Sequence, residues 1–70
     1  MFKFEMGERL QDDVTGFSGI VVARLEYLNG CKQYCIKPSV KDNKMVEGEY
    51  IDENQLFQVE GHSFNPASFN

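Results

Sequence analysis

The chain has no tryptophan and only one histidine, His62. A lone histidine in a tail-like stretch offers no Ser-His-acid or Cys-His set. The carboxylate pairs Asp12-Asp13 and Asp52-Glu53 are sequence neighbours at turns. Extended backbone sends neighbours to opposite faces, so neither pair is expected to share acid–base work. No catalytic residue is assigned, and a non-enzymatic protein is expected. Cysteine is scarce too: Cys31 and Cys35 are the two in the chain. Four positions apart on one strand, their Cα atoms would lie roughly 13 Å apart, whereas a disulfide needs about 4.4–6.8 Å. Two free thiols are therefore expected, which fits a reducing compartment. Cys31 beside a turn is expected to pack as a small hydrophobe, and Cys35 to be the more reactive. There is no Cys-x-x-Cys and no fourth ligand, so no metal or cofactor is expected.

No apolar run approaches the ~18 residues of a membrane span. No basic run followed by an apolar stretch opens the chain, so no secretory signal is expected. A cytoplasmic location and no membrane partner follow as expectations. Positive charge is also in short supply, with seven basic against eleven acidic residues and a net charge of −4. Binding to duplex nucleic acid rests on many cationic contacts to phosphate, so it is not expected. Finally, no run of eleven or more residues carries a helical period, which leaves an all-β chain.

What the chain does have is a long hairpin signal from Phe17 to Pro38. Ile20 to Leu28 forms one β-rich arm, Asn29-Gly30 turns it, and Cys31 to Lys37 returns. Asn-Gly suits a two-residue type I′ turn, where both central residues need positive φ. That loop would set Tyr27 opposite Lys32, Leu25 opposite Tyr34, Arg24 opposite Cys35 and Ala23 opposite Ile36. Alternation then gives an apolar face of Val21, Ala23, Leu25, Tyr27, Tyr34 and Ile36. The wet face carries Val22, Arg24, Glu26, Gln33, Cys35 and Lys37.

Before the hairpin, Phe2 and Phe4 share one side of an extended lead-in, and Glu8 to Asp12 reads as a short strand around Leu10. Asp13-Val14-Thr15-Gly16 is turn chemistry with a buried valine. Gly16 and Gly19 suit a bulge or sharp bend. After Pro38, Ser39 to Gly48 reads as a loop with Asp42-Asn43-Lys44 at its tip. Glu49 to Asp52 reads as a strand, Asp52 to Gln55 as one 3₁₀ turn, and Leu56 to Val59 as the last strand. Residues 1–60 form one domain. Residues 61–70 form a tail in which Ser63-Phe64-Asn65 recurs as Ser68-Phe69-Asn70.

Phe4, Gly7, Asp13 to Phe17, Gly19 to Val21, Glu26 to Leu28, Gly30-Cys31, Tyr34, Asp52-Glu53 and Leu56 carry a resemblance. Over about residues 2 to 60 the chain resembles short, mostly uncharacterised proteins of phages and prophages. More distantly it is similar to KOW- and Tudor-type barrels. The resemblance implies a small five-stranded SH3-like barrel with a long central hairpin and a 3₁₀ turn before the last strand. It also implies a viral setting, with the host cytoplasm as the location, but no activity.

Aromatic residues are the most suggestive candidates for binding. Phe17, Tyr27, Tyr34, Tyr50 and Phe57 are expected near one mouth of the barrel, where such rings hold a peptide, a base or a methylated cation. Phe17 is expected to be partly exposed. Lys32, Lys37, Lys41 and Lys44 offer a local basic edge, and Phe64 and Phe69 offer two anchors on the tail. The expected function is non-enzymatic binding of a host or viral protein, for example inhibition of a host defence protein. The alternatives are a homo-oligomer that sequesters a small nucleotide or signalling ligand, and a virion or assembly component.

Overall fold

The computed structural model describes residues 1–39 and 47–59. The loop tip at Asp42-Asn43-Lys44, Lys41, and the tail with Phe64 and Phe69 lie outside the described residues. Five strands follow in order: β1 (Arg9–Asp12), β2 (Ser18–Glu26), β3 (Lys32–Lys37), β4 (Glu49–Asp52) and β5 (Leu56–Gln58), with a 3₁₀ turn at Glu53–Gln55 before the last. All pair antiparallel in one sheet of order β4-β3-β2-β1-β5. The described residues are thus all-β, with no α-helix. Among the described residues β4 and β5 are the two edges and no ladder joins them, so the sheet is open rather than closed into a barrel.

The hairpin loop is one residue longer than expected. The Tyr27 N–H donates to Cys31 O (2.8 Å) and the Gly30 N–H to Tyr27 O (2.9 Å). The loop is therefore Leu28-Asn29-Gly30, with Gly30 at φ +91°, the arrangement in which a turn is followed by a left-handed residue. The register moves with it. Arg24, not Leu25, lies opposite Tyr34, and Ala23 lies opposite Cys35. A bulge between Val21 and Ala23 absorbs one residue at Val22, and Val21 then faces Ile36. This bulge restores the original phase, and it occurs inside β2 rather than at Gly16 to Gly19. Gly19 serves instead for close approach: a Cβ there would lie 2.4 Å from the Lys37 carbonyl oxygen.

Phe4, Leu10, Val21, Tyr34, Ile36, Ile51 and Leu56 form the core, with Phe2 and Phe17 packed against it. Ala23 and Leu25 are half-buried and Tyr27 is exposed, so the expected apolar face holds only at Val21, Tyr34 and Ile36. Val14 is 73% exposed rather than buried, because Asp12 takes the inward position of that turn. Both cysteines are free, but their environments are the reverse of expectation. Cys31 is exposed and Cys35 is buried, with the Gly48 backbone close against the Cys35 sulfur.

The lead-in closes the core. Phe2 and Phe4 meet the Tyr34 ring edge-on, with centroids 5.8 and 5.4 Å away. The Tyr34 hydroxyl accepts the Lys3 N–H (3.0 Å) and the Phe4 N–H (3.1 Å) and donates to the Glu53 carboxylate. Across from it, the Arg24 guanidinium lies 4.6 Å from the Phe2 centroid, donates to Phe4 O (3.1 Å) and pairs with Glu5 (3.4 Å).

Candidate binding surface

The turn that leaves β1 is built by one carboxylate. Asp12 is only 4% exposed. Its Oδ1 accepts the Val14 N–H (3.0 Å) and its Oδ2 accepts the Thr15 hydroxyl (2.7 Å). An Asp side chain bonded two residues ahead is the ordinary Asx turn. The Gly16 N–H donates back to Asp12 O (2.8 Å), and the Asp12 N–H donates to Phe17 O (2.7 Å). The Thr15 hydroxyl oxygen also accepts the Phe17 N–H (3.2 Å). Phe17 is thus held at both its amide and its carbonyl. The Thr15 hydroxyl and then the Val14 N–H hold the Asp12 carboxyl below the usual aspartate range, so it is ionised at neutral pH. The Asp13 N–H ties the turn to the 3₁₀ turn through Gln55 O (2.7 Å).

Between this turn and edge strand β4 lies an open depression of about 510 Å³, lined by Asp12, Thr15, Gly16 and Phe17 on one side and by Glu49, Tyr50 and Ile51 on the other. Ile51 reaches the core opposite Tyr34, whereas Tyr50 remains 54% exposed. Among the described residues, two carboxylates line the depression and no lysine or arginine does.

Of the five aromatic candidates, the structure brings Phe17 and Tyr50 together and separates the rest. Tyr34 has no exposed surface and is committed to the core and to the lead-in. Tyr27 stands at the hairpin loop, where its hydroxyl donates to Gln33 Oε1 (2.7 Å). Phe57 is exposed on β5, opposite Gln11. The basic edge is also dispersed. Lys32 pairs with Glu26 (3.9 Å), and Lys37 is half-buried at the far end of β3. Lys32 lines a second groove of about 320 Å³ with Asn29, Gly30, Cys31, Asp52, Glu53 and Asn54, a surface of mixed charge. Sequence reasoning missed Asp12, Thr15 and Glu49. The Asp-x-x-Thr spacing before Gly16 was the available signal for the first two, since it is what an Asx turn with a side-chain bond requires. Glu49 had none, because only the fold sets β4 across from the turn.

Among the described residues no group of three or more His, Cys, Asp or Glu side chains could hold a metal ion, and no helix is long and apolar enough to cross a membrane. Comparison of the chain with known protein families, with curated proteins and with solved structures gives no match.

Proposed function

We propose that the chain is a non-enzymatic binding domain on the plan of an SH3-like barrel, and that its partner is a protein. The plan is supported by the meander from β1 to β4, by the return of β5 to β1, and by the 3₁₀ turn between β4 and β5. The resemblance to phage and prophage proteins supports a viral setting, with a host or viral protein as partner and inhibition of a host defence protein as one form. The observation that carries the reading is the open depression lined by Phe17 and Tyr50 beside a turn fixed by hydrogen bonds. Rings at a rigid site lose little freedom on binding, which is why aromatic residues dominate the energetics of interfaces.

The test is capture of partners from host lysate on the immobilised chain, with Tyr50→Ala in parallel. A partner retained by the wild type and weakened about tenfold or more by the variant supports the reading. Equal retention by a variant with an unchanged melting temperature overturns it.

A further inference from the structure

We infer that Asn29 is a self-modifying site: in the folded chain its carboxamide cyclises onto the Gly30 nitrogen, releases ammonia and reopens with water to aspartate or isoaspartate.

Position is the first ground. Asn29-Gly30 is the only Asn-Gly pair in the chain, and both residues are exposed at the hairpin loop. Glycine brings no side chain to hinder attack by its own nitrogen. A Cβ built on Gly30 would meet nothing within 4 Å, so its surroundings leave the approach open as well. Asn29 Oδ1 accepts the Cys31 N–H (3.0 Å). A bond to the amide two residues ahead curls the carboxamide back across Gly30 instead of letting it swing into solvent. The same bond draws electron density from Cγ, the atom to be attacked. One contact opposes the step: the Gly30 N–H donates to Tyr27 O (2.9 Å). Giving up a single hydrogen bond at an exposed loop slows the step by no more than about tenfold.

Chemistry is the second ground, since water is the sole co-reactant. The Gly30 N–Cγ bond forms, the Cγ–Nδ2 bond breaks, and the Gly30 amide proton leaves with Nδ2 as ammonia. The product is a five-membered succinimide. Water then adds to one of its two carbonyls and breaks that carbon–nitrogen bond. Opening at Cγ gives aspartate. Opening at the backbone carbonyl gives isoaspartate, with the main chain routed through Cβ. Either product places a carboxylate in the groove that Asn29 shares with Lys32, Asp52 and Glu53. Isoaspartate also adds one backbone atom to the loop that joins β2 to β3. Asn54 is an internal reference. It is exposed too, but Gln55 follows it and both lie in the 3₁₀ turn.

The full chain is aged under reducing, mildly alkaline conditions, once folded and once in urea, and then cut with trypsin. Fragment 25–32 carries Asn29 as its one asparagine. It is expected to gain the single dalton of an amide turned acid, and to accept a methyl group from an isoaspartate-specific methyltransferase. The folded chain should react within about tenfold of the rate in urea, and at least about tenfold faster at Asn29 than at Asn54. Asn29→Gln keeps an amide but would need a six-membered ring, so its fragment should show neither gain nor methylation. An unchanged melting temperature of the aged Asn29→Gln chain will show that the incubation leaves the fold intact. A folded rate more than about tenfold below the urea rate overturns the inference, because the fold then protects the site. A mass gain without isoaspartate overturns it as well, because amide hydrolysis without a ring gives aspartate alone. So does an Asn54 that reacts as fast.

Discussion

The Tyr34 hydroxyl does more than fill space. It is the acceptor for two lead-in amides and the donor to Glu53. In Tyr34→Phe the Glu53 carboxylate can still accept from Lys3 (3.0 Å), but the buried Phe4 N–H loses its partner. Leaving such a donor unmet costs about 1–3 kcal/mol. Denaturant unfolding of Tyr34→Phe should show a loss in that range. A loss below about 0.5 kcal/mol, the scale of an ordinary surface substitution, would mean that ring packing alone holds the lead-in. The thiols give a second check at this scale. Cys31 is exposed on the hairpin loop, whereas Cys35 is covered by the Gly48 backbone. Under native conditions a thiol-reactive dye should label Cys31 promptly and Cys35 only as the sheet opens. Faster labelling in Cys31→Ser than in Cys35→Ser would contradict this burial.

At the scale of the element, the three-residue loop decides which β2 side chains meet Tyr34. Arg24 takes the position that a two-residue loop would give to Leu25. Arg24→Ala removes the stacking on Phe2 and the bond to Phe4 O, each worth about 1 kcal/mol at a partly buried site. Leu25 is only half-buried, so Leu25→Ala falls short of the roughly 2–5 kcal/mol of a full core truncation. Chemical denaturation of the two variants should give comparable losses of about 1–2 kcal/mol. A near-silent Arg24→Ala with a costly Leu25→Ala would restore the two-residue loop. Asn-Gly marked where the hairpin turns but not how many residues turn it. Both loops suit Gly30, and Val22 has to be extruded before Val21, Tyr34 and Ile36 can all point inward.

For the whole molecule, acid is the sensitive side. Asp12 is held below the aspartate range by the Thr15 hydroxyl and the Val14 N–H. Glu53 is held below the glutamate range by the Tyr34 hydroxyl and the Lys3 N–H. Both carboxyls bind protons less readily folded than unfolded. Their contribution is therefore complete above the unfolded values, near pH 4, and is lost as pH falls through the folded ones. Tyr34 acts at the other extreme. Desolvation and then the Glu53 bond raise its phenol above the usual value of 10.0, so its contribution is present below about pH 10 and lost as pH rises through the raised value. Urea midpoints of the wild type should hold near neutral pH and fall below about pH 4. Asp12→Asn should start lower and fall less steeply over the same interval. An acid slope unchanged by Asp12→Asn would remove that carboxylate from the account.

The sequence by itself determined the β class, through the absence of any helical period and the alternation of the hairpin arms. It determined β4 residue for residue, and the 3₁₀ turn to within one residue, because four-residue patterns between turns leave little choice. It also determined Val21, Tyr34 and Ile36 as inward residues. Only the tertiary structure decided the loop length, the bulge at Val22 and the outward turn of Tyr27, since register is settled by what a whole sheet can bury and not by any local stretch. It alone decided that the sheet stays open along β4 and β5. It alone set Phe17 beside Tyr50, some thirty residues away in the chain, because a surface between the β1 turn and an edge strand exists only once β2 and β3 have brought the two to the same side.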